Sequence, residues 1–142
     1  MKLQLIKKDD SIIQGFETII YTDPNQVNKI NEIINNSCEY IIANTILDDF
    51  EIEQSNNIVG VLENKLRING VLILSGNDSK ILCNMLLSNK ITVEDFSKVI
   101  SDVKSISTAI DTMAKLESAG LKISDIKFNK YRYEITCVRE RL

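Results

Sequence analysis

Residues 38–76 read CEYIIAN (38–44), TILDDFEIEQ (45–54), SNNIVGVLENKLRING (55–70) and VLILSG (71–76). The first and last pieces are apolar runs without alternation, as in strands of a parallel sheet covered on both faces. Between them lie an acidic connection and a helix expected near 54–67. In that helix Ile58, Val61, Leu62 and Leu66 recur at helical spacing. Asn69-Gly70 reads as a C-cap pair that stops it. Strand, helix, strand in this order predicts two parallel neighbours joined by a helical crossover.

The flanks extend the pattern. Residues 1–7 set Leu3 and Leu5 against Lys2 and Gln4, a short strand. Residues 8–15 are a polar connection, and FETIIYT (16–22) is β-branched and aromatic, a second strand. Asp23-Pro24-Asn25 ends it and starts a helix with Val27, Ile30, Ile33 and Ile34 on one face. On the other side, Asn77-Asp78-Ser79 caps a helix over 80–87. Thr92-Val93-Glu94-Asp95 opens another, with Val93, Phe96, Val99 and Ile100 inward. A helix over 107–119 carries Ile110, Met113, Ala114 and Leu116 and ends at Gly120. A hairpin closes the chain: LKISDIKF, a turn at Asn129-Lys130, then YRYEITCVR. The order predicts an α/β domain, a Rossmann-like three-layer sandwich. Its sheet is mainly parallel, helices lie on both faces, and the C-terminal hairpin is antiparallel. With no linker or repeat, residues 1–142 read as one domain.

Composition narrows the chemistry. The 142 residues are 44% hydrophobic with a net charge of -3. That balance suits a soluble globule and argues against a general nucleic-acid binder. Lys122, Lys127, Lys130, Arg132, Arg139 and Arg141 make the last stretch locally basic, as the solvated faces of an edge hairpin are. There is no histidine, which excludes histidine-based triads and histidine-ligated metals. Cys38, Cys83 and Cys137 form no CxxC pair and sit among apolar residues, so all three are expected buried and reduced, in a cytoplasmic setting. No metal site is expected, although Asp48, Asp49, Glu51 and Glu53 offer oxygen ligands. No apolar run reaches transmembrane length. The abundance of Ile, Asn and Lys suggests an AT-rich genome, such as that of some bacteria or phages. A phage-encoded chain would work in the host cytoplasm or the virion.

Several strings resemble the class I S-adenosylmethionine-dependent methyltransferases, in particular their small type-11-like members. MKLQLIKKDD stands where such proteins carry a strand and a glycine loop, and Gln14-Gly15-Phe16 and Thr22-Asp23-Pro24 follow at similar spacing. The string IIANTILDD (41–49) stands for the strand leading to "HVLEH", and LRINGVLI (66–73) for "LKPGGxLxI". Ala119-Gly120-Leu121 matches the "xxGL" before the last hairpin. The resemblance spans nearly the whole chain and implies a donor pocket at the ends of the first and third strands. Its residues here would be Ile6, Lys7, Asn44 and Ile46.

The departures fall in that pocket. Ile6, Lys7, Lys8 and Asp9 replace glycines that would let backbone approach the donor. Ile20, Tyr21 and Thr22 stand where an acid would hold the ribose, with Asp23 slightly late. The expected function is therefore a methyltransferase-fold protein that has lost donor binding. It would act without catalysis as a protein-binding or assembly component, with a protein partner or a homo-oligomer and no cofactor. The alternative is an active methyltransferase with an atypical donor loop and S-adenosylmethionine as its cofactor, since methyl transfer needs mainly alignment. A third reading is a regulatory sensor of some other nucleotide or of phosphate, through Lys7 and Lys8. Gly76-Asn77-Asp78 reads as a turn and cap at the acceptor rim, and Tyr131 and Tyr133 as packing residues on one face.

Overall fold

The computed structural model describes residues 1–101 and 103–141. The elements run β1 (Lys2–Ile6), β2 (Glu17–Ile20), α1 (Lys29–Glu32), β3 (Cys38–Asn44), a 3₁₀ turn (Ile46–Asp49) and α2 (Ile52–Lys65). They continue with β4 (Leu66–Asn77), α3 (Ser79–Leu87), α4 (Val93–Ile100), α5 (Ala109–Ser118), β5 (Leu121–Asn129) and β6 (Arg132–Arg139). One six-stranded sheet has the order β2-β1-β3-β4-β6-β5. The first four strands are parallel, and β6 runs antiparallel to both β4 and β5. This is the expected α/β class with its closing antiparallel pair.

Strand register sorts the side chains into two unlike faces. Leu3, Ile41, Leu72 and Cys137 lie side by side across the sheet, as do Leu5, Ala43, Leu74 and Ile135. All eight are 0% exposed. Ile30 of α1, Val59 and Leu62 of α2, and Ala109 and Leu116 of α5 complete this core. The opposite face carries Ile42, Ile73 and Thr136 in one row and Val71 beside Val138 in another. Those five side chains and Tyr40 are only half-buried. Near β1 this face is covered by residues 7–16, whose Phe16 meets Tyr40 edge-on at 6.1 Å. The third layer expected from the sequence is thus a loop here. The reason is chain length: ten residues join the parallel neighbours β1 and β2, where a crossover helix with its turns usually takes a dozen or more.

Four local expectations change. The helix foreseen after Pro24 shrinks to the single turn of α1, and Ile34 is 77% exposed. Asn69-Gly70 does not stop α2, which ends at Lys65. Arg139 does that work, donating to the carbonyl oxygens of Glu63 at 3.0 Å and Leu66 at 2.7 Å. Such donors satisfy the orphan carbonyls that a glycine cap otherwise serves. Asn69 and Gly70 instead shape an irregularity inside β4, where the pairing with β3 jumps from Cys38–Leu66 to Tyr40–Val71. Asn69 is left-handed (φ 64), and a Cβ on Gly70 would sit 2.8 Å from the oxygens of Arg67 and Cys38. Helix α4 fully buries none of its residues, and Val93 is 71% exposed. Cys83 is exposed, unlike Cys38 and Cys137.

Candidate functional site

The sheet order reverses direction between β1 and β3, because the chain leaves β1 toward β2 and leaves β3 toward β4. In open α/β sheets the crevice outside the carboxyl ends of the strands at such a point is where ligands bind. The residues there decide what this fold can hold.

Tyr21 follows β2 and is 3% exposed. Its hydroxyl lies 2.7 Å from the Asn44 carbonyl oxygen at the end of β3 and 2.7 Å from Asp49 Oδ2. One phenolic proton is shared between the two acceptors, and burial pushes the phenol's pKa up. Thr45 Oγ1, on a left-handed residue (φ 51), lies 3.4 Å away. Asp49 also receives Lys7 Nζ at 3.0 Å. The side chain of the residue after β2 therefore crosses the end of β1 to reach β3, and an ion pair from the β1 loop locks it there.

The loop after β1 is held from below. Gln4 is 1% exposed. Its Nε2 donates to the Ser11 carbonyl oxygen at 2.8 Å, and its Oε1 accepts from the Ile13 N–H at 3.0 Å. The Asp10 carboxylate takes the Lys7 N–H at 2.9 Å. A backbone donor at the strand end is thereby occupied by the chain's own acid. The sequence treats Gln4 as an outward polar partner of Leu3 and Leu5. The available signal was a long amide inside an otherwise apolar strand, next to a connection rich in backbone donors.

The four residues singled out for a donor pocket divide. Ile6 and Ile46 are packed away, at 1% and 0% exposed, and Ile46 belongs to the core. Asn44 is half-buried with its carbonyl engaged by Tyr21, and Lys7 is half-buried in its ion pair. Lys8 is exposed. Asp23 spends its carboxylate on the Asn25 N–H at 2.8 Å and Gln26 Nε2 at 3.1 Å.

Asp48 is the strongest electrostatic feature of the rim. It is 2% exposed and accepts from the Asn77 N–H at 3.1 Å and from Ser107 Oγ at 3.1 Å. Burial pushes its pKa up to about 6, while those two hydrogen bonds pull the other way and the charge of Asp49 adds to the rise. Ser107 Oγ lies 2.7 Å from the Tyr133 hydroxyl, which is 2.9 Å from Thr112 Oγ1. The Asp48 carbonyl oxygen takes the N–H groups of Lys104 and Ser105. A cavity of about 10 Å³ lies beside it, the volume of a single water at most. The arrangement ties the 3₁₀ turn, the end of β4 and the segment before α5 together. Asp48 and Asp49 hold separate partners, and among the described residues no group of three or more acidic or cysteine side chains could hold a metal ion.

Neither a family model nor a curated protein matches the sequence. Solved structures do match. A protein from Pyrococcus horikoshii has a TM-score of 0.62 at 12% identity, over 97% of this chain and 71% of its own. An O-methyltransferase family protein from Burkholderia thailandensis has 0.59 at 12% identity, over 87% of this chain. Magnesium protoporphyrin IX methyltransferase from Synechocystis PCC 6803, with bound S-adenosylhomocysteine, has 0.54 at 15% identity, over 87% of this chain. The chain spans 36% and 50% of the latter two. It has a class I methyltransferase-like fold. No helix among the described residues is long and apolar enough to cross a membrane.

Proposed function

We propose that this chain keeps a methyltransferase scaffold but no longer binds S-adenosylmethionine, and works as a non-catalytic protein-binding or assembly domain. The carrying observation is the Tyr21 hydroxyl held between the Asn44 carbonyl oxygen and the Asp49 carboxylate. A donor seated at the switch point would have to displace this bridge, break the Lys7–Asp49 pair and unfasten a loop anchored by Gln4. The loop offers side chains where close backbone approach to a ligand calls for glycine.

The second reading is an active methyltransferase with an atypical donor loop. It draws on the fold shared with the Synechocystis enzyme that holds S-adenosylhomocysteine. In that reading Tyr21 swings out and Ile6, Lys7, Asn44 and Ile46 line the opened site.

Isothermal titration with S-adenosylmethionine and S-adenosylhomocysteine separates the two. Heat silence up to about 1 mM ligand, weaker than roughly -4 kcal/mol, is expected. Saturable one-to-one binding in the micromolar range overturns the proposal and restores the enzyme.

A further inference from the structure

A mainly parallel sheet normally has both faces covered. Here α1, α2 and α5 cover one face. The centre of the other is a half-buried apolar field of Tyr40, Ile42, Val71, Ile73 and Val138, continued by the Thr136 methyl. The field is contiguous: Ile42 is paired with Ile73 and Ile73 with Thr136, while Tyr40 is paired with Val71 and Val71 with Val138. Contiguity, and not the exposure of any one residue, marks an interaction surface.

Its border names the partner. On this face β5 carries Lys122, Asp125 and Lys127, and β6 carries Arg132 and Glu134, all exposed. Lys127 is paired across the strands with Glu134 and lies 4.0 Å from Asp125. Signs alternate along the border, so it favours neither a polyanion nor a polycation. A surface whose charges alternate in this way is complementary to itself, which is what a two-fold interface requires.

We propose that this open sheet face is a homodimer interface. Two copies stack face to face at the roughly 10 Å spacing of packed sheets. Ile42, Val71, Ile73 and Val138 of each form the dry centre beside the Phe16–Tyr40 pair, and the β5 borders engage in register. The surface is separate from the Tyr21 crevice and does not depend on whether that crevice binds a donor.

Sedimentation velocity from about 1 µM to 500 µM tests it, a range that brackets the affinities of modest interfaces. Wild type is expected to shift from monomer to dimer. Ile73→Lys is expected to weaken the dimer at least tenfold while keeping the wild-type circular dichroism. A second measurement covers the case in which Ile73→Lys fails to fold. In a Cys83→Ser background, spin labels on Thr136→Cys should lie within about 20 Å of each other between copies, as stacked sheets demand. Wild type that stays monomeric at the highest concentration overturns the proposal, even if added phosphate or another protein then occupies the face. So does a dimer that Ile73→Lys leaves intact, or labels far apart. Donor binding with the dimer preserved would sink only the non-catalytic reading.

Discussion

Tyr21 and Asn44 follow and end two strands that are not neighbours, β2 and β3, yet the hydroxyl of one sits 2.7 Å from the backbone oxygen of the other. The contact spans the end of β1. It converts a crevice that this topology leaves open into a bridged, buried hydroxyl. Tyr21→Phe keeps the ring, which packs against Phe50 at 5.9 Å, and removes only the bridge. The expected loss of stability is about 1–2 kcal/mol, read from urea unfolding. An unchanged midpoint would mean that the hydroxyl does not hold the crevice shut.

Asp48 makes stability depend on pH in an unusual direction for an acid. Its folded pKa is about 6 against an unfolded value near 3.8. Between those values the folded state holds a proton that the unfolded chain has lost. Stability is therefore greatest below the lower value and falls as pH rises through the upper one. Lys7 offsets part of the effect and Asp49 adds to it. Thermal melts from pH 4 to 7 should show the decline in wild type and its absence in Asp48→Asn. The amide can still accept from the Asn77 N–H while donating to Ser107. A flat wild-type profile refutes this role.

Arg139 is 5% exposed and pairs with Glu63 at 2.9 Å while feeding the last carbonyls of α2 and Asn36 Oδ1. Arg139→Ala strands Glu63 and those oxygens together. A loss of about 3–5 kcal/mol is expected. Arg139→Lys should recover only part of it, since a single ammonium cannot reproduce the guanidinium fork. Chemical denaturation of the pair of variants gives the answer, and equal stabilities would contradict the geometry.

The three cysteines should separate by reactivity. Burial pushes Cys137 up to about 12 and raises Cys38 as well, whereas Cys83 lies on the surface of α3. A thiol reagent at neutral pH should modify Cys83 in the native protein and the other two only after unfolding. Rapid native labelling of Cys137 would show that β6 opens far more easily than its packing implies.

The strands were legible because their apolar runs and alternation are local, and so were the caps Asp78 and Thr92 and the helix stop at Gly120. Asn69-Gly70 misled because the residue that terminates α2 is Arg139, more than seventy positions away. Val93 and Ile100 sit at core-like spacing, yet nothing in their periodicity says how much of α4 a neighbour covers. The site was readable as a departure, in the bulky residues at 6–9, but its geometry was not. That Tyr21 meets Asn44 and Asp49 is a long-range fact with no mark in the spacing, whereas the inward turn of Gln4 is local and was signalled by an amide inside an apolar strand.

The ten-residue passage from β1 to β2 also fixes what evolution or engineering can do with this crevice. Wound as a helix, ten residues advance only about 15 Å and leave none for the turns at either end. Rewriting Lys7, Lys8 and Asp9 as glycines would loosen the loop without creating a helix end aimed at a ligand. A helical crossover between β1 and β2 is separated from the present sequence by an insertion, not by substitutions.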